Sequence, residues 1–521
     1  MAFDGLNQAW SNERTLQRQG RYLLVDKPAG IACRSSDDGA RRALDLRARL
    51  AQHGLEGFEP CAEVPERVSG VTLLAQRETS ASAEALWRSP LERSYLLGVE
   101  PLRLPVQGQL RGALSAGTAV PLDYQVSRRQ GPRALVTVRT QAGPECVARA
   151  FVAAGQPIVG DEASPAAATR LLLHVQRLQG DGLDVSAPVP SEFESWLLGA
   201  SQRPPQQFEQ ALADAALVRA GLWPEHEAYR LLGEDAGEIA GITADRYAQH
   251  ALLEISTDEA WAERARLAEC LMDQGAQGVY VKRRLRADLR KHDPRELAPA
   301  LPLCGSPAPE SFCVRQGELA FWVRLGDGLA TGLFLDQRES WQRVREGVRG
   351  TGLLNLFSYT GAFSVAAAAG GAATVSVDLS KRALARARLN LEHNGLSGPQ
   401  HRLLANDVLV WLARARRAQR RFGWIVLDPP SFGTRRRGVL SAERDYAGLV
   451  ASALELLEPG GHLLCVSHQL GFSQRDLGDL LRDALAKCGR AGSVASWVGG
   501  WDAPTLPGVS RTKSVLARVA E

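Results

Sequence analysis

The sequence lacks any apolar run of the roughly 18–20 residues that a membrane-spanning helix needs. Its first stretch, "MAFDGLNQAWSNERTLQRQ", is polar and has no apolar signal region, which predicts a cytoplasmic protein. Its eight cysteines include no Cys-x-x-Cys pair. The nearest two, Cys304 and Cys313, have no histidine at zinc-site spacing, so we expect neither a structural metal nor a disulfide framework.

A chain of 521 residues is too long for a single hydrophobic core, so several domains are expected. Short apolar runs broken by glycine and proline predict a mixed, β-rich domain over residues 1–200. A linker and helix follow at 201–225, and a small α/β module, which we expect to bind RNA, at 226–310. From 311 to 521 apolar strands alternate with helices, which predicts an α/β fold with a doubly wound, Rossmann-like parallel sheet.

Polar residues follow four successive strands of that predicted sheet, where such folds bind ligands. Asn355 lies in the first, "NLFSYTGAFS", and Asp378 ends the second, where a carboxylate can accept both ribose hydroxyls. Asn406 and Asp407 end the third, and Asp428 ends the fourth. Adenine and ribose without a phosphate fit this set best, which predicts S-adenosylmethionine (SAM). Any one of these residues alone would serve equally well as a helix cap.

Four segments, "FLDQR" (334–338), "NLFSYTGAFS" (355–364), "VDLS" (377–380) and "LDPPSF" (427–432), resemble bacterial 23S rRNA base methyltransferases with a class I fold. Two branches are similar, one acting on cytosine C5 and one on guanine N7, and module 226–310 resembles the central domain of the C5 branch. The resemblance, over about 226–521, implies cofactor-binding roles for Asn355, Phe357, Tyr359, Gly361, Asp378, Leu379, Asn406, Asp407, Gln337 and Arg338. It also implies that Asp428 lines the cofactor site.

Three basic runs, at 282–291, 414–421 and 434–438, could hold a phosphate backbone, although each alone is also typical of a solvated helix face. The third directly follows the "LDPPSF" loop. We therefore expect RNA to be bound by four residues there, which are Phe432, Arg435, Arg436 and Arg437. The predicted partner is rRNA or a precursor of the large ribosomal subunit; no membrane and no metal are expected, and the sequence leaves the oligomeric state open.

The strand end "LLCVSHQLGFS" (463–473) bears on the methylated atom. Methylation at cytosine C5 requires a thiolate that adds to the ring, and the C5 branch has a cysteine after the serine that matches Ser467. Here His468 follows instead, and Cys465 lies too far along the strand, so we expect it to be buried. A guanine nitrogen such as N7 needs only placement, by Asp428, Pro429 and His468, although His468 fits a loop role equally well. Cytosine C5 methylation and a non-catalytic assembly factor remain alternatives.

The region 20–200 resembles pseudouridine synthases that modify rRNA and tRNA, through segments such as "YLLVDKPAGIACRSS" (22–36) and "RSYLLGVEP" (93–101). Tyr95 and Arg149 match positions that flank that family's active site. The family's catalytic aspartate aligns with Pro65, which has no carboxylate, and Glu66 is adjacent but should project from another side. We therefore predict an inactive domain that docks RNA or supports the structure.

Overall fold

The structure is a computed structural model of the chain. The residues that it describes are 15–19, 22–27, 33, 46, 50, 55, 57–60, 64–65, 67–76, 91–113, 119–161, 164, 171–180, 182–198, 203–219, 222, 225–234, 238–285, 293–348, 350–430, 432–435, 438–468, 472–497 and 512–520. For some of them, including 432–435 and 438–445, only the backbone is described. Two compact units result. Unit 1 is Met1–Gly221 with Gly237–Ala240 and Asp273–Gly275, and unit 2 is Leu222–Ala236, Gly241–Met272 and Ala276–Glu521.

Unit 1 is built on a β-rich, mixed sheet, as the sequence predicts. Its described strands are β1 (Thr15–Gln19), β2 (Tyr22–Lys27), β3 (Phe58–Pro60), β4 (Ser69–Gln76), β5 (Glu92–Val99), β6 (Gln107–Ala113), β7 (Ala119–Gln130), β8 (Arg133–Thr140), β9 (Leu173–Gly180) and β10 (Leu183–Ser186). Its described helices are α1 (Pro144–Ala153), α2 (Ser191–Leu197) and α3 (Phe208–Arg219). The main path through the sheet is β1-β2-β4-β9-β5-β8-β7-β6. Neighbouring strands are antiparallel except for β4 and β9.

Unit 2 begins with a small five-stranded sheet. It contains β11 (Ala228–Leu232), β12 (Ile242–Tyr247), β13 (His250–Ile255), β14 (Gly278–Arg283) and β15 (Cys304–Gly305), in that order. The sequence predicts one helix near 258–275, but the structure has α4 (Asp258–Ala262) and α5 (Arg264–Asp273) with a break at Glu263. These helices join the parallel pair β13 and β14. The helix α6 (Pro294–Leu297) and the strand pair β16 (Phe312–Gln316) and β17 (Leu319–Val323) follow.

The rest of unit 2 is a seven-stranded sheet with helices between its strands. The elements are α7 (Arg338–Gly347), β18 (Gly352–Leu356), α8 (Ala362–Ala369), β19 (Ala373–Asp378), α9 (Lys381–His393), β20 (His401–Ala405), α10 (Val408–Arg417), β21 (Phe422–Leu427), β22 (Phe432–Arg435), β23 (Gly438–Ser441), α11 (Ala442–Leu454), β24 (Leu457–Ser467), α12 (Gln474–Lys487), β25 (Gly492–Ser496) and β26 (Lys513–Val519). Strands β22 and β23 form a separate antiparallel pair.

The sheet order is β20-β19-β18-β21-β24-β26-β25, and the first five strands are parallel. This confirms the predicted doubly wound fold, to which β26 adds an antiparallel strand beside β24. The chain order reverses direction between β18 and β21, which is the point where such sheets form a ligand crevice. The segment "EPGG" (458–461) predicts a turn before the last parallel strand, but these residues lie within β24, where the pairing register with β21 shifts.

The two faces of this sheet are covered by separate apolar clusters. Strand β21 is buried along its whole length, as expected for a central parallel strand. Its Ile425 and Leu427 belong to one cluster, and Trp424 and Val426 belong to the other. Because both faces are buried, the polar groups of the strands are left at their ends. No described helix is both long and apolar enough to cross a membrane.

Candidate active site

A cavity of about 390 Å³ lies at the carboxyl ends of the parallel strands in unit 2. Its wall is made by the segment before α7 and by the loops that follow β18, β19, β20, β21 and β24. The lining residues are Gly332, Leu333, Phe334, Gln337, Trp341, Asn355, Phe357, Ser358, Tyr359, Thr360, Ala362, Phe363, Asp378, Leu379, Ser380, Asp407, Val408, Leu409, Asp428, Pro430 and His468. The volume is in the range of small-molecule sites.

The loop between β18 and α8 holds an unusual backbone conformation. Phe357 and Tyr359 have positive φ angles of 60° and 47°, although neither is glycine. Such conformations cost on the order of 1 kcal/mol or more each and are concentrated at functional sites. Gly361, with a φ of 80°, caps the helix, and a Cβ there would stand 2.9 Å from the Cβ of Ala387. Only glycine therefore fits this turn without displacing α9.

Buried hydrogen bonds fix this loop to the sheet. The Asn355 side chain is 2% exposed, and its Nδ2 donates to Ser364 Oγ at 2.9 Å. Ser364 Oγ is in turn 2.8 Å from Ser376 Oγ on β19. Asn355 thus ties β18, α8 and β19 together while it lines the cavity.

The Asp378 carboxylate organises the next part of the wall. Its Oδ2 accepts from the Tyr359 backbone N–H and its Oδ1 from that of Ser380, both at 2.8 Å. Each carboxylate oxygen can accept two hydrogen bonds. One acceptor site therefore remains on each oxygen, which suits the two hydroxyls of a ribose. Leu379 beside it lines the cavity and is 53% exposed, so it offers an apolar surface there.

Asp407 is both the N-cap of α10 and a lining residue of the cavity. Its Oδ1 accepts from the backbone N–H groups of Leu409 and Val410 at the start of α10, at 2.9 and 3.2 Å. Its neighbour Asn406 donates its backbone N–H to the carbonyl of Asp378 but does not line the cavity. The cofactor-binding role of Asn406 stays a prediction.

Two buried polar atoms of the wall have no hydrogen-bond partner among the described residues. They are Gln337 Oε1 and Ser358 Oγ, on side chains that are 2% and 5% exposed. A buried polar atom without a partner costs about 1–3 kcal/mol, so such atoms are usually satisfied by a ligand or water. Together with the Asp378 and Asp407 carboxylates they make the wall rich in acceptors. Carboxylate and amide oxygens fit a ligand that has an ammonium group, ribose hydroxyls and a cationic sulfur.

At the rim, four side chains form a hydrogen-bonded series. His468 Nε2 lies 3.0 Å from Asp428 Oδ1, and His468 Nδ1 lies 3.2 Å from Thr512 Oγ1. The Thr512 hydroxyl donates to Asp336 Oδ2 at 2.8 Å. Burial acts to lower the pKa of His468, but its ion pair and hydrogen bond with Asp428, together with the charge of Asp336, raise it overall. Sequence reasoning missed Asp336, which lies in the quoted "FLDQR", and Thr512, which carries no local signal.

Phe334 is another residue that sequence reasoning did not single out, although "FLDQR" contains it. Its side chain is 43% exposed at the cavity. Its ring centroid lies 5.4 Å from that of Tyr359 and 6.4 Å from that of His468. Burial raises the pKa of Tyr359, so its hydroxyl stays protonated near neutral pH. Because its side chain is exposed at the cavity, Phe334 presents an aromatic surface on which a planar group can stack.

Cys465 lies within β24 and not at its end. It is fully buried in the cluster on one face of the sheet and is not a lining residue of the cavity. Burial raises the pKa of its thiol to about 12. The thiolate that a nucleophile needs is therefore almost absent near neutral pH, as expected for a cysteine that only packs.

The remaining predicted residues fall outside the wall or outside the described side chains. Arg338 and Pro429 are buried, and neither is a lining residue, whereas Pro430 is. The backbone of Phe432 and Arg435 lies in β22, but their side chains are outside the described part of the chain, as are Arg436 and Arg437 entirely. Roles in catalysis for Pro429 and in RNA binding for these four residues stay predictions.

In unit 1 the two residues that match pseudouridine synthases have different surroundings. Tyr95 is fully buried, and its hydroxyl donates to the Ala142 carbonyl at 2.7 Å. Arg149 is exposed on α1. The Pro65 carbonyl accepts from the Val68 N–H at 2.9 Å, and Glu66 lies outside the described residues.

Comparisons with known proteins identify the family of the chain. A model of the S-adenosylmethionine-dependent methyltransferase family matches residues 235–482. Ribosomal RNA large subunit methyltransferase I of Klebsiella pneumoniae is 33% identical over 287 residues, which are 54% of this chain and 71% of that protein. Ribosomal RNA large subunit methyltransferase K/L of Allochromatium vinosum is 47% identical over 149 residues, which are 28% of this chain and 20% of that protein.

A solved structure agrees with these matches. The protein SMU.776, crystallised as a complex with S-adenosylhomocysteine (SAH), superimposes with a TM-score of 0.54 at 25% identity, over 70% of this chain and 89% of that one. The cofactor is therefore SAM, which the acceptor-rich wall of the cavity fits. The Klebsiella pneumoniae methyltransferase is 33% identical to this chain, and the match covers 71% of its length. The chain therefore belongs to the S-adenosylmethionine-dependent methyltransferase family.

Proposed function

We propose that this methyltransferase modifies a base of 23S ribosomal RNA and that the methyl acceptor is a guanine nitrogen of the N7 type. The names of both relatives assign them to ribosomal RNA of the large subunit, which supports the substrate class. The acceptor atom is argued from the residues at the rim of the cavity.

The observation that carries the proposal is the residue at the end of β24. His468 stands there, bonded to Asp428, and among the described lining residues no side chain is a cysteine. Cytosine C5 requires a thiolate that adds to the ring before it can accept a methyl group. The nearby sulfur, Cys465, is buried with a pKa of about 12. A reaction that depends on a sulfur nucleophile is therefore disfavoured.

Methylation of a guanine nitrogen such as N7 requires no nucleophile from the protein. SAM, when bound, supplies a methyl group on a cationic sulfur, and the electrons of the broken carbon–sulfur bond stay on that sulfur. Guanine N7 brings its own lone pair, so orientation is the main requirement, and orientation alone is worth about 7–11 kcal/mol. Methylation leaves a positive charge on the base. The Asp428 carboxylate, 18% exposed, offsets that charge and can accept from the base's N–H groups.

Aromatic stacking supplies the rest of the orientation. RNA bases that have left their helix commonly stack on exposed aromatic side chains. Phe334 offers such a side chain beside His468, at the same rim as Asp428. We assign it the role of holding the plane of the base, together with the predicted contact from Phe432.

For residues 1–200 we propose a domain without pseudouridine synthase activity that docks RNA or supports the structure. The aligned residue, Pro65, has no carboxylate for the reaction. Tyr95 supports the same assignment because its hydroxyl is committed to the Ala142 carbonyl and its side chain is fully buried.

Nucleoside mass spectrometry of rRNA, from cells with and without the gene, tests the proposal. We expect 7-methylguanosine to be reduced in the cells that lack the gene. Loss of 5-methylcytidine would contradict the assignment of the acceptor atom. An unchanged methylation profile would favour an assembly factor, and a loss of pseudouridine would assign activity to residues 1–200.

A second experiment tests the sulfur argument directly in the purified chain. Methyl transfer from labelled SAM to a 23S transcript should persist in Cys465→Ala, as it should in the matched control Cys488→Ala, whose cysteine also lies outside the cavity wall. A covalent adduct between the chain and a transcript containing 5-fluorocytosine would overturn the proposal, because such an adduct requires an attacking thiolate.

A further inference from the structure

The series Asp428, His468, Thr512 and Asp336 has a carboxylate at each end. From one end, Asp428 Oδ1 lies 3.0 Å from His468 Nε2. From the other, Asp336 Oδ2 accepts from Thr512 Oγ1 at 2.8 Å, and Thr512 Oγ1 lies 3.2 Å from His468 Nδ1. Only Asp428 and His468 line the cavity, so Asp336 and Thr512 act from behind them.

The hydrogen-bond directions in this series follow from counting protons. An aspartate carboxylate only accepts hydrogen bonds, whereas a threonine hydroxyl has a single proton to donate. That proton goes to Asp336, so Thr512 Oγ1 faces His468 as an acceptor. His468 Nδ1 must then carry a proton, and the Asp428 carboxylate requires another on Nε2. A histidine with both nitrogens protonated is an imidazolium.

The charged groups around His468 agree with that form. Asp428 faces it from the end of β21, Asp336 from the segment before α7, and Lys513 from the start of β26. Burial and Lys513 act to lower the pKa of His468, but the two carboxylates outweigh them and the pKa is raised. Another threonine–histidine pair in the same sheet, Thr374 and His401, differs: burial lowers the pKa of His401.

We infer that Asp336 and Thr512 are positioning residues that hold His468 as an imidazolium, which in turn fixes the Asp428 carboxylate at the rim of the cavity. The inference deepens the proposed function and rests on it for its link to methyl transfer. With both N–H groups committed, His468 cannot take a proton from the base. This favours an acceptor atom that carries a lone pair from the start, as a ring nitrogen such as guanine N7 does.

The protonation state can be measured without RNA, so its test is independent of which base is methylated. The full chain is labelled with ¹⁵N-histidine, and the His468 signals are assigned by their loss in His468→Gln. At pH 7 we expect both ring nitrogens of His468 to have imidazolium chemical shifts. We also expect its titration midpoint to lie above that of His401. A non-protonated ring nitrogen on His468 at pH 7 would overturn the inference.

Three variants test the positioning role. Thr512→Val and Asp336→Asn should each lower the His468 midpoint, and Thr512→Ser, which keeps the hydroxyl, should restore it. The matched control Thr374→Val removes the hydroxyl beside His401 and should leave His468 unchanged. If Thr512→Val does not fold, Asp336→Asn gives the same information. A His468 midpoint that neither variant moves would contradict the role.

Enzyme kinetics supply the link to catalysis. The wild-type kcat should fall as the pH rises through the His468 pKa, because the imidazolium that orients Asp428 is lost. In Thr512→Val this fall should move to lower pH. At pH 7 the kcat should drop by about fivefold, which corresponds to about 1 kcal/mol, while the KM for SAM stays the same. An unshifted pH profile, or a change in KM alone, would overturn the link.

Discussion

The cavity of unit 2 and the surroundings of Tyr95 in unit 1 both include segments that resemble known families, but the hydrogen bonding of their buried polar side chains differs. In the cavity, Gln337 Oε1 and Ser358 Oγ are buried and have no partner among the described residues. Around Tyr95, the phenol hydroxyl is bonded to the Ala142 carbonyl. Nearby in the same unit, Ser69 Oγ lies 3.0 Å from His174 Nδ1.

This difference is the one expected between a cavity prepared for a ligand and the inactive domain that we propose for residues 1–200, although unit 1 also has a buried polar atom without a partner among the described residues, Trp196 Nε1. A site prepared for a ligand must keep hydrogen-bonding capacity unused, at a cost of about 1–3 kcal/mol for each buried atom. Once no ligand is selected for, that cost brings no benefit, and internal partners are favoured. The strained loop of Phe357 and Tyr359 fits the first case, because strain of this kind is also stored at functional sites.

The largest expected effect is on cofactor binding. Asp378→Ala should weaken SAM binding by about a hundredfold, or about 3 kcal/mol, because it removes a charged acceptor for the ribose and for two backbone N–H groups. Isothermal titration calorimetry measures this. Asp184→Ala, which removes an exposed aspartate of unit 1, is the control and should bind SAM normally. Affinity within threefold of wild type in Asp378→Ala would show that Asp378 does not hold the cofactor.

A smaller effect is expected at Ser358, where a substitution should raise the stability of the SAM-free chain and lower its affinity for SAM. In Ser358→Ala the SAM-free chain should become more stable by about 1 kcal/mol, because an unsatisfied buried hydroxyl is removed. Its SAM affinity should fall by about fivefold. Denaturant unfolding and calorimetry measure the two quantities. A loss of stability without a change in affinity would mean that this hydroxyl is structural, as in unit 1.

The counterpart in unit 1 is Tyr95→Phe. Because the hydroxyl has an internal partner, its removal should destabilise unit 1 by about 1 kcal/mol and leave the Ala142 carbonyl unsatisfied. Hydrogen exchange of unit 1 measures the change, while SAM affinity and methyl transfer should be unaffected. If hydrogen exchange of unit 1 is unchanged while RNA modification is altered, Tyr95 is a functional residue. The proposed difference between the cavity of unit 2 and the surroundings of Tyr95 would then not hold.

The smallest effect concerns pH. The His468 pKa is raised in the folded state, so the ion pair stabilises the fold below the ordinary histidine pKa and loses that contribution as the pH rises through the raised value. The stability difference between wild type and His468→Gln should therefore shrink with increasing pH. Unfolding experiments between pH 5.5 and 9 measure it. A difference that grows with pH would mean that His468 is neutral in the folded chain.

Much of the fold of unit 2 was predictable because its signals are local. Strand β21 reads as an uninterrupted apolar run, and the residues that end strands, such as Asp378 and Asp428, mark the edge where parallel sheets bind ligands. Boundaries were less predictable. Gly460, with a φ of 73°, reads as a turn, yet it lies inside β24 because the pairing with β21 continues past it.

Part of the candidate site was also predictable, because several of its residues lie at the ends of strands that the sequence pattern reveals. The lining residues Asn355 and Asp378 lie in quoted motifs and Asp407 follows a predicted strand, so their strand-end positions were visible in the sequence. Asn406 is adjacent to Asp407 but is not a lining residue, a difference that the sequence alone does not reveal. Phe334 was overlooked because an exposed aromatic side chain has no periodic signal.

The sequence by itself determined the alternation of strands and helices, the polar ends of the parallel strands and the missing thiol after Ser467, since each depends on neighbouring residues. Only the tertiary structure decided which polar atoms are left without partners and which side chains meet at the rim. Thr512 and Asp336 are 176 positions apart, and Thr512 reaches His468 because β26 returns beside β24 in the folded sheet. A contact of that separation depends on the global arrangement of the strands, and no local pattern encodes it.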